Sequence, residues 1–165
     1  MTNKRPALIQ ETDAAARDLA RQLITNARHA ALGVLDETGA PSVTRVTFGI
    51  CENGQMVSLV SDLSAHSQRL KTEPRCSLLI GEPPSKGDPL AFARLSIAAQ
   101  AQFLSRDDPS HSERRASWLT SHPKSALYID FADFKFVVFT PLHADLNGGF
   151  GKAYRLTPDD ILPKA

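Results

Sequence analysis

The apolar positions change period along the chain, and each change marks an element. Over Asp13–Ala30, Ala16, Leu19, Ala20, Leu23, Ile24 and Ala27 recur at spacings of three and four, which predicts a helix with one buried face. Thr12 or Asp13 is placed to cap it, and Arg17, Asp18, Arg21 and Gln22 fall mostly on the opposite face. The period then shortens. Ala30–Leu35 is a short apolar run ending in the turn Asp36-Glu37-Thr38-Gly39, and Ser42–Ile50 resumes with Val43, Val46, Phe48 and Ile50. Asn53-Gly54 is a strong hairpin signal before Met56–Ser61. Three strands in a row joined by tight turns predict an antiparallel meander.

Ser64–Thr72 reads as a short helix with Ser64 as N-cap and Pro74 beyond its end. Cys76–Ile80 and the alternating Arg94–Leu104 read as strands, separated by an exposed proline-rich loop over 82–89. Asp107-Asp108-Pro109 opens a helix to about Ser121, and Pro123–Tyr128 is a further helical turn. Phe134–Leu142 is a strongly apolar strand, Gly148–Gly151 a glycine-rich loop, Tyr154–Leu156 a last short strand and Pro158–Ile161 a turn of helix. Six or seven strands that do not alternate with helices predict a mainly β fold, an antiparallel sheet closing on itself with peripheral helices. Residues 1–165 read as one domain, with 1–11 as a flexible arm.

Composition narrows the functional classes. A net charge of +1 carries none of the basic excess of a nucleic-acid binder. No stretch reaches the roughly 18 apolar residues of a spanning helix, and the opening residues lack the apolar run of a signal peptide. The expectation is a cytoplasmic protein without nucleic-acid or membrane partners. Cys51 and Cys76 lie outside any metal or CxxC spacing and are expected to be buried thiols. His29, His66, His111, His122 and His143 are scattered, so no metal site is expected, and no GxSxG surrounds a serine.

Four segments could carry chemistry. Val60–Leu70 gathers Ser61, Ser64, His66, Ser67 and Arg69 where a strand gives way to a helix. Hydroxyls and cations beside unpaired helix N–H groups suit a phosphate, although an ordinary capped helix with a solvated face explains the same residues. In Pro41–Phe48, alternation puts Ser42, Thr44 and Val46 on one face and Val43, Arg45 and Thr47 on the other. Such a strand could offer hydroxyls to a ligand or be half exposed. Arg94 begins a strand and could meet a phosphate, a carboxylate or solvent. The glycines of Asn147–Tyr154 let backbone approach a ligand or simply turn the chain.

Taken together, the chain resembles the pyridoxamine-phosphate-oxidase-like FMN-binding split barrels, in the branch related to the HugZ-type haem-utilisation proteins. The resemblance is carried by ARHAALGVLDETGAPSVTRVTFGI, LVSDLSAHSQRLKTEPRCSLLIGEP, GDPLAFARLSIAAQAQFL and SHPKSALYIDFADFKFVVFTPLHADLNGGFGKAY, in the family's order, from about Ala27 to Leu156. It implies a six-stranded antiparallel barrel that pairs as a homodimer with FMN at the subunit interface. Ser64 and His66 would hold the FMN phosphate, flanked by Ser61 and Arg69. Val43, Thr44 and Arg45 would run along the isoalloxazine and ribityl groups. Arg94 and Leu95 would lie near the flavin, and Gly149, Phe150 and Gly151 with Tyr154 would approach it, from the other subunit if not from the same one.

The chain also departs from its relatives. Ala65 and His66 stand where the pyridoxamine-phosphate oxidases carry an Arg-Lys pair, and their C-terminal Trp and Arg signature is missing. The additional C-terminal domain and haem-ligating histidine of the longer haem-utilisation proteins are missing as well. Neither vitamin B6 oxidation nor haem degradation is therefore expected. The expected function is an FMN-dependent oxidoreductase acting on a small molecule. The alternative is a non-catalytic flavin or haem carrier, and no catalytic acid or base is assigned.

Overall fold

The computed structural model describes residues 9–51 and 53–162. Its elements are α1 (Ala14–Asn26), β1 (His29–Leu35), β2 (Pro41–Thr47), β3 (Gly49–Ile50), β4 (Met56–Ser61), α2 (Ala65–Thr72), β5 (Arg75–Ile80), β6 (Arg94–Phe103), α3 (His111–Ser121), β7 (Phe134–Asn147), β8 (Ala153–Leu156) and α4 (Pro158–Ile161). Short 3₁₀ turns cover Pro89–Ala91 and Pro123–Leu127.

The strands form one antiparallel sheet in the order β2-β1-β5-β6-β7-β4-β3, with β8 on β7. The two ends of that path, β2 and β3, are consecutive in the chain and separated only by Phe48. Treated as halves of one strand, they close a circuit of six with β1, β5, β6, β7 and β4, while β8 stands outside it. Phe48 is fully buried at the break and its N–H donates to the Arg28 carbonyl at 2.9 Å. The Thr47 hydroxyl spans the gap beside it, donating to the Leu59 carbonyl at 3.2 Å. This is the mainly β, curled antiparallel architecture expected from the strand pattern.

Local chemistry explains the elements. Asp13 caps α1 by accepting from the Ala16 N–H at 2.8 Å. The helix stops at Asn26, short of Ala30, because His29 and Ala30 already pair with Thr47 and Val46 in β1 and β2. In the β1–β2 turn, Asp36 accepts from the Thr38 and Ala40 N–H groups, each at 2.9 Å, while Gly39 takes a φ of 81°. Gln10 is no loose arm: its N–H donates to Ala153 at 2.8 Å and it bridges Tyr154 on β8. Residues 1–8 of the expected arm lie outside the described residues.

Two apolar clusters form. Inside the barrel, Leu32, Leu78, Leu95, Ile97, Val137, Phe139 and Leu146 meet Ala16, Ala20 and Ile24 of α1 and Leu70 of α2. The two helices reach opposite ends of β6: α1 approaches the Arg94 end, and Lys71 of α2 lies over the Phe103 ring. Outside the barrel, Val57, Leu59, Phe136 and Val138 of β4 and β7 pack against Trp118 and Ile129. No helix among the described residues is long and apolar enough to cross a membrane.

Candidate functional site

The structure gathers the sequence-chosen residues into two groups. The first is the corner where β4 runs into α2. Ser64 is extended, at φ −75° and ψ 144°, as an N-cap must be. Its hydroxyl nevertheless makes no bond to the first helical N–H groups. It donates instead to the Ser61 carbonyl at 2.7 Å, and lies 2.8 Å from Ser67 Oγ and 3.0 Å from His66 Nε2. Burial of the His66 ring lowers its pKa, so the neutral imidazole is favoured at neutral pH. The Ser61 hydroxyl donates to Asp133 at 2.5 Å and accepts from the Leu63 N–H at 3.1 Å.

Two further carboxylate contacts shape this corner. Asp62 pairs with Lys135 at 2.7 Å and Lys71 at 3.0 Å. Burial by itself would raise the Asp62 pKa, but the two lysines outweigh it and hold the carboxyl low. Arg69 is half-buried on α2 and adds a small attraction to Asp36, whose carboxyl is held low first by the Thr38 hydroxyl.

The second group lies on the outer face of β2, β1, β5 and β6. Val43, Gly33, Ser77 and Ala98 stand in register across the four strands, and Arg45, Ala31, Leu79 and Ser96 form the next row. Val43 is 71% exposed and Leu79 44%, with little but small side chains between them. Thr44 is on the opposite, inward side of β2, half-buried beside buried Val46. At the α1 end this face opens into a groove of about 650 Å³ that holds both Arg45 and Arg94. Arg94 donates to the Leu90 and Phe92 carbonyls at 3.3 and 3.4 Å.

Leu95 turns the other way: it is fully buried in the barrel core, so its side chain does not reach this face. Gly149 has a φ of 107°, and a Cβ there would lie 2.9 Å from the Ala91 carbonyl oxygen, which ties the glycine loop to the loop before β6. Phe150 is 72% exposed. The Gly151 carbonyl accepts from Gln10 at 2.6 Å, and Tyr154 packs half-buried on the barrel core.

Asp133 was not visible from the sequence as part of the corner. It is 72 residues from Ser61, and nothing local signals the contact. Arg106, equally unmarked, fastens the segment that carries Asp133: its guanidinium donates to the Ile129, Asp130, Phe131 and Phe134 carbonyls. Among the described residues no group of His, Cys, Asp or Glu is arranged to hold a metal. Cys51 is buried as expected, whereas Cys76 is only half-buried, and burial still pushes its thiol up to about 12.

The comparisons with known proteins agree with this architecture. The family model for pyridoxamine 5'-phosphate oxidase matches residues 16–147, and the chain belongs to that family. It is 34% identical over 103 residues to the non-canonical haem oxygenase HOZ of Arabidopsis thaliana, covering 62% of this chain but only 30% of the plant protein. It is 26% identical over 136 residues to the haem oxygenase HutZ of Vibrio cholerae, covering 79% of this chain and 75% of that protein. A solved haem-binding protein from Mycobacterium smegmatis superposes with a TM-score of 0.79 at 29% identity, over 91% of this chain and 61% of its own.

Proposed function

We propose that the chain is a homodimeric FMN-binding protein whose flavin serves an oxidoreductase reaction on a small molecule. The observation that carries the reading is the Ser61–Ser64–His66–Ser67 corner at the uncapped start of α2. A phosphate placed there would meet the Ser64 hydroxyl, the half-buried His66 imidazole and helix N–H groups left without a side-chain cap. Of the nearby carboxylates, Asp62 is neutralised by two lysines, while Asp133 is held back on the Ser61 hydroxyl. The residues present therefore fit the phosphate arm of FMN.

The planar part of the cofactor has a matching surface. The row of Val43, Gly33, Ser77 and Ala98 offers a flat, mostly small-residue face, with Arg45 and Arg94 at its α1 end. A second subunit laid on this face would exclude water from the ring and complete the site. When bound, the flavin supplies hydride or electron transfer, and the protein supplies binding, orientation and electrostatics. In this reading the Ser64 hydroxyl would turn from the Ser61 carbonyl to a phosphate oxygen, with buried Ser67 beneath holding it in place, and a neighbouring anion would favour protonated His66. Arg45 and Arg94 would favour negative charge at the α1 end of the face.

A second reading, haem binding, is favoured by the relatives, since HOZ, HutZ and the mycobacterial protein carry names that refer to haem. Haem is also planar with anionic arms, so the same corner and face suit it. The two are separated by the visible spectrum of the purified protein after incubation with each cofactor and desalting. Retained flavin absorbance, bleached by a reduced nicotinamide donor, supports the FMN reading. A retained Soret band with no retained flavin overturns it in favour of haem.

A further inference from the structure

A second site lies on the far side of β4 and β7, under α3. Arg114 is only 7% exposed, yet of its guanidinium only Nη2 is engaged, donating to Ser110 Oγ at 2.8 Å. Its Nε and Nη1 have no hydrogen-bond partner, and among the described residues no carboxylate stands within ion-pair distance. Leaving a cation and two donors unpaired out of water is costly unless something meets them. Arg114 lines a cavity of about 110 Å³ with Cys51, Asn53, Ser110, Glu113 and Ser117. On α3, Ser110, Glu113, Arg114 and Ser117 follow the helical spacing of one face, so they converge on that space.

We propose that this cavity binds a small oxyanion, with the Arg114 guanidinium as its counter-charge and the Ser117 hydroxyl as a second donor. The size suits phosphate, sulfate or the carboxylate end of a small acid rather than a cofactor. Ser110 is a positioning residue: it donates to Asp108 and accepts from Arg114, so its proton is already committed. Of the acidic side chains, Asp108 is bound to Ser110, and exposed Glu113 lines the cavity, where its charge opposes an anion and Arg114 must outweigh it. The proposal is independent of the FMN reading, because none of the residues lining this cavity belongs to the corner or the bare face that reading uses.

The test uses Trp118, the chain's one tryptophan, which lies one turn from Arg114 on α3. The full chain is titrated with sodium sulfate, phosphate or acetate against sodium chloride at matched ionic strength, and followed by tryptophan fluorescence and melting temperature. The proposal expects saturable fluorescence changes, and a Tm roughly 4 °C higher at tenfold the apparent Kd. Arg114→Met is expected to abolish both, and Ser117→Val to weaken binding several-fold while folding normally. Sulfate also stabilises proteins non-specifically, so the readout is the difference between wild type and variant. Equal responses in wild type, R114M and S117V overturn the proposal.

Discussion

The two outer faces of the barrel sheet are treated differently by the chain. On β4 and β7, Val57, Leu59, Phe136 and Val138 lie beneath Trp118, Ile129 and the rest of the 111–134 segment. There Trp118 stacks on His122 with ring centroids 3.9 Å apart and donates to Ser125 at 3.1 Å. On β2, β1, β5 and β6, the outward residues are Val43, Gly33, Ser77 and Ala98, with Arg45, Ala31 and Leu79 in the next row, and among the described residues α1 only flanks the groove at one end of them. The covered face uses large aromatics to fix its own helix. The bare face uses small side chains and arginines, a composition suited to something that is not part of the same chain. The difference teaches that the large apolar contacts that hold α3 lie over β4 and β7, while the strands β2, β1, β5 and β6 leave their outward side chains open.

Substitutions on the two faces should therefore have opposite profiles. The largest effect is expected at Trp118→Ala, which removes the centre of the covered cluster and should cost about 3–5 kcal/mol in denaturant unfolding. A loss below ~1 kcal/mol would mean that α3 is not a structural part of the barrel.

Leu79→Arg, on the bare face, should leave the stability of the single chain within roughly 0.5 kcal/mol. If the chain pairs and holds FMN across this face as proposed, it should instead give a monomer in sedimentation equilibrium and lose the flavin. A variant that stays dimeric would move the interface elsewhere and erase the contrast between the faces.

His66→Ala should weaken FMN retention by roughly tenfold, about 1.4 kcal/mol, with little change in unfolding. It is read as the flavin fraction left after desalting. If Ser64→Ala has the same effect on retention, the corner is acting as one unit; unchanged retention in both variants would exclude it as the anion site.

The smallest effect is in pH. His66, His111 and His122 all have their pKa values lowered below 6.5, in each case first by burial. The unfolded chain then takes up protons that the folded chain resists, so stability is retained above pH 6.5 and falls as pH drops below it. Bound FMN should shrink that loss by favouring protonated His66. Thermal melts from pH 7.5 to 5.5, with and without FMN, measure both slopes; a flat profile contradicts the assignment.

Much of this molecule was legible from the chain itself. The helical spacing of Ala16, Ala20 and Ile24, the Asn53-Gly54 turn and a helix start after Ser64 correspond to α1, the β3–β4 hairpin and α2, although the Ser64 side chain makes no cap bond. What escaped depended on tertiary context. β7 continues to Asn147, beyond the expected Phe134–Leu142 and through Pro141. The proline is accommodated where the β6–β7 register shifts between Ala98 and Ala99. The division of 42–50 at Phe48 is invisible locally, because the two halves pair with different strands. Leu95 shows the limit for the site. Alternation alone marks two faces of β6, and only the closed barrel decides that Leu95 points inward. Ser61 and Asp133 meet because β4 pairs with β7, with Ser61 opposite Phe134 and the Asp62 N–H donating to the Asp133 carbonyl, and no short-range pattern encodes that register.

The most direct test of the central claim is sedimentation velocity of the FMN-incubated, desalted protein, recorded at a flavin wavelength and at 280 nm together. The account predicts that flavin absorbance travels with a species of two chains, and that Leu79→Arg shifts the protein to one chain with the flavin left behind. Flavin that sediments with a single chain, or that never accompanies the protein, would contradict a cofactor site built on the uncovered face.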